Sequence, residues 1–326
     1  MGRLSPASLE RCLAYHQTLL GDARRNRAFR RALAARVRPG ATVLDLGAGS
    51  GVWAVLAARL GARRVVAVES DAVLIPVIEA LARENGVADR VEAVPGDARR
   101  VRFPRVFDVV VSETVGHEGF EEGLLPICER ARARFLRPGG ALVPEWIALA
   151  AAPVELPGAL GLSPPFLPAA SVASLTVHAA RSLDPAALVT LAPGRELLRV
   201  DLLRAQAREP LPAGQVSFRI ADGRAVGGIA VWLVMGLAPG VRLSTRGGTC
   251  WRPTLLPVEP LPAGAGRLDV EVDWNPGRRR WSVRFEGEKG ARHAADHSPL
   301  FAWGALRPAA SRNGRRASLT ALPGRD

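Results

Sequence analysis

Residues 43–51 read Val-Leu-Asp-Leu-Gly-Ala-Gly-Ser-Gly, and this stretch decides the fold. An apolar strand, Ala41–Leu46, ends just after an acid. A loop with glycine at every second position follows, then a helix from about Val52. Glycines allow close backbone approach to a ligand and positive φ without steric cost. A helix N-terminus behind such a loop presents unpaired N–H groups and the positive end of its dipole. Together they predict a nucleotide-like ligand held above the edge of an α/β sheet.

Two cofactor classes compete for that loop. The dinucleotide fingerprint is G-x-G-x-x-G. Here the spacing is Gly47-x-Gly49-x-Gly51, one residue tighter, with Asp45 two positions ahead. This resembles the first motif of class I S-adenosyl-L-methionine (SAM) methyltransferases. Glu69 fits either class, because it ends a second apolar strand, Val65–Val68, where an acid can accept both ribose hydroxyls.

The strand–helix alternation continues outward from this loop. Strands are predicted at 41–46, 64–68, 91–95, 107–112 and 141–143, and helices at 52–59, 72–85 and 121–135. Alternation of this kind implies a mainly parallel sheet covered on both faces. Upstream, 9–37 has helical periodicity with a break near Leu20–Gly21. Downstream of Pro144 the pattern changes. Residues 153–193 are rich in proline, alanine and leucine, and short alternating segments follow at 198–203, 215–220, 230–235, 267–272 and 281–285. Asn275-Pro-Gly277 reads as a hairpin turn between the last two. The expected organisation is a helical segment at 1–38, a doubly wound Rossmann-like SAM-binding domain at 39–145, a β-barrel-like substrate domain at 146–308 and a basic tail at 309–326.

Composition narrows the class. The chain has 326 residues and 48% hydrophobic content, enough for a globular protein with a sizeable core. Ile147–Leu162 is interrupted by Pro153, Glu155 and Pro157, so no membrane span is expected, and residues 1–10 lack a signal-peptide core. Cys12, Cys128 and Cys250 are scattered without metal spacing, and His178, His293 and His297 show no ligand spacing. They predict reduced thiols, a cytoplasmic setting and no metal. The net charge of +13 comes almost wholly from arginine, Lys289 being the single lysine. Heavy use of arginine, alanine, glycine and proline is what GC-rich codons produce. The arginines are dispersed and lack the aromatic interleaving of a nucleic-acid platform, so a solvated basic surface is favoured over nucleic-acid binding.

The fourth strand runs into Ser112-Glu-Thr-Val-Gly-His-Glu-Gly-Phe-Glu-Glu122. In a doubly wound sheet this loop lies at the carboxyl edge beside the glycine loop. Glu113 and Glu122 are nine residues apart, with Gly116 and Gly119 between them to allow a hairpin-like path. Two converging carboxylates suit a planar guanidinium, whose donors pair bidentately with carboxylates. Glu118 and Glu121 are expected to face solvent. His117 is a loop histidine near the acid pair.

On these residues the chain resembles the protein arginine methyltransferases, whose double-glutamate loop Glu113 and Glu122 match. Upstream, Tyr15-His16 through Asp22, Arg25 and Phe29 is similar to a motif of that family. Downstream, Leu243-Ser-Thr245 and Thr249-Cys250-Trp251 lie where its Thr-His-Trp loop falls. The match spans roughly residues 12–285. The resemblance implies SAM as cofactor, with Arg25 on its methionine carboxylate and His16 nearby. Asp45, Gly47, Gly49 and Gly51 would line the cofactor, and Glu69 would hold the ribose. Asp97 and Ala98 would lie at the adenine; the family's acid there falls on Arg99, and Asp97 is preferred. Glu113 and Glu122 would grip a substrate guanidinium, with Asp22, Cys250 and Trp251 at the substrate side. It also implies an arginine-bearing protein or peptide as acceptor, and a homodimer through an arm that 153–183 could supply. The chain departs from the family at Thr114-Val115, at Cys250 in place of histidine, and at Leu19 and Leu124 in place of methionines. Those departures keep open a small-molecule acceptor or a non-catalytic scaffold.

Overall fold

The computed structural model describes residues 6–116, 118–155, 189–209, 211–221, 225–257, 265–275, 278–287 and 292–297. The basic tail, His117, Pro276–Gly277 and residues 156–188, which include His178 and residues 156–183 of the expected arm, lie outside the described residues.

Two helices lead, α1 (Pro6–Gly21) and α2 (Ala23–Arg36), and the break between them falls on Asp22. Asp22 caps α2 by accepting the N–H of Arg25 on Oδ1 at 2.8 Å, which satisfies one of the orphan donors of the first turn. The first sheet is built from β1 (Thr42–Leu46), β2 (Arg64–Glu69), β3 (Val91–Pro95), β4 (Phe107–Val111) and β5 (Leu136–Val143). Its order is β3-β2-β1-β4-β5, all parallel. Helices α3 (Val52–Arg59), α4 (Ile75–Glu84) and α5 (Leu124–Arg130) connect the strands, α5 running on into a π-helical turn at Ala131–Phe135. β1 and β2 are buried along nearly their whole length, as expected where helices cover both faces. Strand order reverses at β1, between β2 and β4, and ligands of doubly wound sheets bind above such a switch point.

The second half is antiparallel. β6 (Trp146–Glu155) and β10 (Gly228–Ala238) form the spine of a sheet that also holds β7 (Val189–Thr190), β8 (Arg195–Asp201), β11 (Val241–Ser244) and β12 (Thr254–Pro257). A four-stranded sheet of β9 (Gly214–Ile220), β13 (Gly266–Asn275), β14 (Arg278–Gly287) and β15 (Arg292–His297) completes the barrel-like half. β13 and β14 pair from Asn275↔Arg278 outward, so they form the expected hairpin. Its buried residues, Trp281 among them, are continuous with the core of the parallel half.

The fold class is therefore the expected one. The structure adds β6, which the sequence reading passed over. Its ten residues are almost all buried, so they lack the polar alternation that marks a half-buried strand. Pro153 sits where β6 changes partner from β8 to β7.

Candidate active site

The loop after β1 and the loop after β4 meet at the switch point. Ser112 explains why. Its hydroxyl donates to the Leu46 carbonyl at 2.8 Å, and its N–H donates to the Val143 carbonyl at 2.9 Å. It thereby fastens the start of the acid loop to the ends of β1 and β5. Gly47 has φ +77°, and a Cβ there would lie 2.5 Å from Thr114 Cγ2. Only glycine accommodates both the backbone angle and the neighbouring loop. Gly49 lies under the His16 ring of α1, and Gly51 caps α3 in the left-handed conformation.

Glu69 reaches from β2 into the glycine loop. Its Oε2 accepts the Gly49 N–H at 2.8 Å, and its Oε1 accepts the Asp71 N–H at 2.8 Å and the Ser70 hydroxyl at 3.2 Å. Asp45 is fully buried, and neither oxygen has a hydrogen-bond partner of normal geometry. Burial, with Glu69 nearby, pushes its pKa up to about 7, against the opposing influence of the Ala54 N–H and Arg25. A buried acid with unmet acceptors beside a glycine loop fits a cationic cofactor.

Arg25 sits at the centre of the site, 3% exposed. It pairs with Glu113 Oε2 and donates to the Leu19 carbonyl at 3.0 Å and to Asn26 Oδ1 at 2.8 Å. Its guanidinium lies 4.8 Å from the Trp53 ring centroid and 5.6 Å from that of Trp251, a cation held among aromatic faces. Trp53 Nε1 donates to the same Glu113 oxygen at 3.1 Å. Glu113 is thus a buried, ion-paired carboxylate.

Glu122 is in a different setting. It lines an open groove of about 540 Å³ together with Gly47, Thr114, Asp97, Ala98 and Arg99. The residue as a whole is exposed at the groove wall, yet protein packed around its carboxyl and the neighbouring Glu121 push its pKa up to about 7, opposed by a hydrogen bond with Tyr15. Asp97 is gripped by Arg99, with Nε to Oδ1 at 2.9 Å and Nη2 to Oδ2 at 2.6 Å. That hydrogen-bonded partner holds its pKa down at about 2.

Asp22 Oδ2 accepts the backbone N–H of Cys250 at 2.7 Å. Arg24 Nη1 donates to the Gly247 carbonyl at 2.6 Å. The loop of the barrel half is therefore docked onto the α1–α2 corner. Burial and Asp22 push the Cys250 thiol up to about 12, so it stays protonated and neutral.

Most of the residues singled out by sequence converge. Arg25 and Glu113 meet directly, Asp22 meets Cys250, Glu69 meets Gly49, and Gly47 shares a groove with Asp97, Ala98 and Glu122. One expectation fails: Glu118 does not face solvent. It is fully buried, and its Oε1 accepts the Thr254 hydroxyl at 3.0 Å. Glu121 turns back on its own loop, accepting the N–H groups of Glu118 at 3.0 Å and Phe120 at 3.1 Å. Trp53 and Tyr15 carry contacts that the sequence reading assigned no role. The aromatic in the first turn behind the glycine loop was the available signal for Trp53. Among the described residues no cluster could hold a metal, and no helix is long and apolar enough to cross a membrane.

A family profile described as a methyltransferase domain matches residues 43–140. The chain is 30% identical over 284 residues to an arginine N(omega)-methyltransferase of Streptomyces achromogenes subsp. streptozoticus, covering 82% of this chain and 78% of that protein. It is 31% identical over 144 residues to a probable protein arginine N-methyltransferase 6 of Arabidopsis thaliana, covering 44% of this chain and 33% of that one. Among solved structures, a Trypanosoma brucei PRMT1 enzyme–prozyme heterotetramer with AdoHcy superposes with a TM-score of 0.73 at 17% identity, over 87% of this chain and 97% of that chain. Arabidopsis thaliana protein arginine methyltransferase 10 superposes with a TM-score of 0.71 at 18% identity, over 88% and 99%.

Proposed function

The chain belongs to the arginine N-methyltransferase family and is a SAM-dependent methyltransferase; from that premise we propose that Glu113 and Glu122 hold the acceptor guanidinium while it takes the methyl group. SAM, when bound, supplies an electrophilic methyl on a sulfonium centre. Asp45 and Arg25 would take the ammonium and carboxylate of its methionine part, with His16 nearby. Glu69 would accept its ribose hydroxyls, the glycine loop would pass close beneath, and Asp97 and Ala98 would meet its adenine.

The observation that carries the reading is the asymmetry of the two loop acids. Arg25 and Trp53 both use Oε2 of Glu113, which leaves Oε1 for a substrate N–H. That fixed charge orients the guanidinium and draws positive charge toward one side, so the nitrogen facing the methyl attacks more readily. The N–C bond forms as the S–C bond breaks. The N–H proton then passes to Glu122, whose pKa of about 7 suits a base working near neutrality. Cys250, protonated and neutral, supplies no second cation or base. Asp22 and Trp251 act by holding the α1–α2 corner and Arg25 in place.

The test is incubation of the purified protein with methyl-labelled SAM and, separately, an arginine-containing peptide mixture and free L-arginine, followed by hydrolysis and identification of methylarginine. Labelled methylarginine from peptide supports a protein or peptide acceptor. A second reading, a small-molecule guanidine, is favoured by one observation: the relative matched over 82% of this chain is named for arginine rather than for protein arginine. Label only in free arginine selects it. Absence of methylarginine from both overturns the assignment of the acid pair. The same reading expects a second copy of the chain as partner and a reducing cytoplasm as setting. A monomeric mass in solution would overturn the former.

A further inference from the structure

The middle of the acid loop is anchored to the other half of the molecule. Gly119 has φ +90°, and a Cβ there would lie 2.8 Å from Leu233 Cδ1 and 3.0 Å from Ile147 Cδ1. The apex of the loop is therefore pressed against β6 and β10, where a side chain would not fit. Glu118, beside it, is 0% exposed and takes the hydroxyl of Thr254, the first residue of β12 and itself buried. A buried carboxylate is retained only where its hydrogen bonds are met. Glu118 is also bound into the loop, its N–H donating to both oxygens of Glu121 at 3.0 and 3.1 Å. The connection thus runs from β12 through Thr254, Glu118 and Glu121 to Glu122, within five residues of loop.

We propose that Glu118 is a positioning residue which, through Thr254, clamps the acid loop to the barrel sheet and fixes where the Glu122 carboxylate stands. The inference rests on the reading of Glu122 as proton acceptor. The groups acting on Glu122 are Glu121 on its own loop and Tyr15 on α1, and Asp97, Arg99 and Glu209 line the same groove. Releasing the clamp lets the loop swing outward and hydrates the Glu122 carboxyl, which lowers its proton affinity toward the ordinary carboxylate value.

Thr254→Val removes the hydroxyl and keeps the shape. Amide exchange of peptides covering 113–123 is expected to speed up about tenfold, the scale of one hydrogen bond to a charged group, while β1 and β4 exchange unchanged. In turnover, kcat falls about tenfold and the rise of kcat with pH moves below its wild-type midpoint near 7, with cofactor binding unaltered. Glu118→Gln with Thr254 intact, which keeps an acceptor oxygen opposite the hydroxyl, retains slow exchange and the wild-type midpoint. A general loss of stability would lower the active fraction without moving that midpoint. Unchanged exchange in Thr254→Val overturns the clamp, whether or not the protein proves to methylate arginine. Faster exchange with an unmoved midpoint and unchanged kcat overturns its link to Glu122. Absence of transfer by the wild type overturns the methylation reading alone, since the exchange measurement still decides the clamp.

Discussion

The two ends of the Ser112–Glu122 loop carry the same side chain in opposite environments. Glu113 is 6% exposed and pinned by the Arg25 cation and the Trp53 N–H. Glu122 lies on an open groove, and crowding and its acidic neighbour push its pKa up to about 7. One is a fixed negative charge, the other an acid that titrates near neutrality. Environment rather than residue type sets the two acids apart, and the proposed division into guanidinium anchor and proton acceptor rests on that difference.

The largest effect that would break this comparison is at the anchor. Glu113→Gln is expected to lower methyl transfer by about a thousandfold or more, since an oriented charge is lost where charge develops. AdoHcy binding by calorimetry should change little. Turnover surviving in that variant would mean Glu113 is not the guanidinium anchor. Next is Glu122→Gln, expected to cost about a hundredfold or more, the range for a positioned base. Wild-type kcat should rise with pH up to about 7, because Glu122 accepts a proton only when ionised, and this rise should vanish in the variant.

A third acid sharpens the comparison from the cofactor side. Asp45 is also pushed up to about 7, by full burial. AdoHcy, whose ammonium favours the ionised form, should bind about tenfold more tightly at pH 8 than at pH 6. Asp45→Asn should flatten that dependence. The sign for stability is the reverse. The folded pKa lies above the ordinary 3.8, so the fold is favoured by proton uptake at low pH. That advantage is lost as pH rises through about 7. Asp45→Asn should therefore melt higher than wild type at pH 8, by thermal unfolding without ligand, and the gap should close at acid pH. The smallest effect is at Cys250. Asp22 takes its backbone N–H, a bond that alanine keeps, so Cys250→Ala should stay within about threefold of wild-type activity, as truncation of a neutral, weakly bonding group. Asp22→Ala, which removes the α2 cap and that bridge together, should lose more.

The glycine loop, Asp45, Glu69 and the nine-residue spacing of Glu113 and Glu122 were legible because each is local. Turn geometry, a strand end and a loop length are written in neighbouring residues. The strand β6 was not legible, because a fully buried strand loses the alternation that identifies it. Glu118 was misread for a related reason. Acids in a polar loop usually face water, and the approach of β12 from 136 positions downstream gives this one a buried partner.

The sequence by itself determined the doubly wound sheet, the glycine loop above its switch point and the nine-residue separation of the two loop acids, since these follow from periodicity and short-range spacing. The tertiary structure alone decided which acid is buried in an ion pair and which stands at the groove. It brought Arg25 and Trp53 onto Glu113, left Glu122 at the groove and set Thr254 against Glu118. Proton affinity depends on burial and on charges brought close by folding, and no spacing along the chain encodes either.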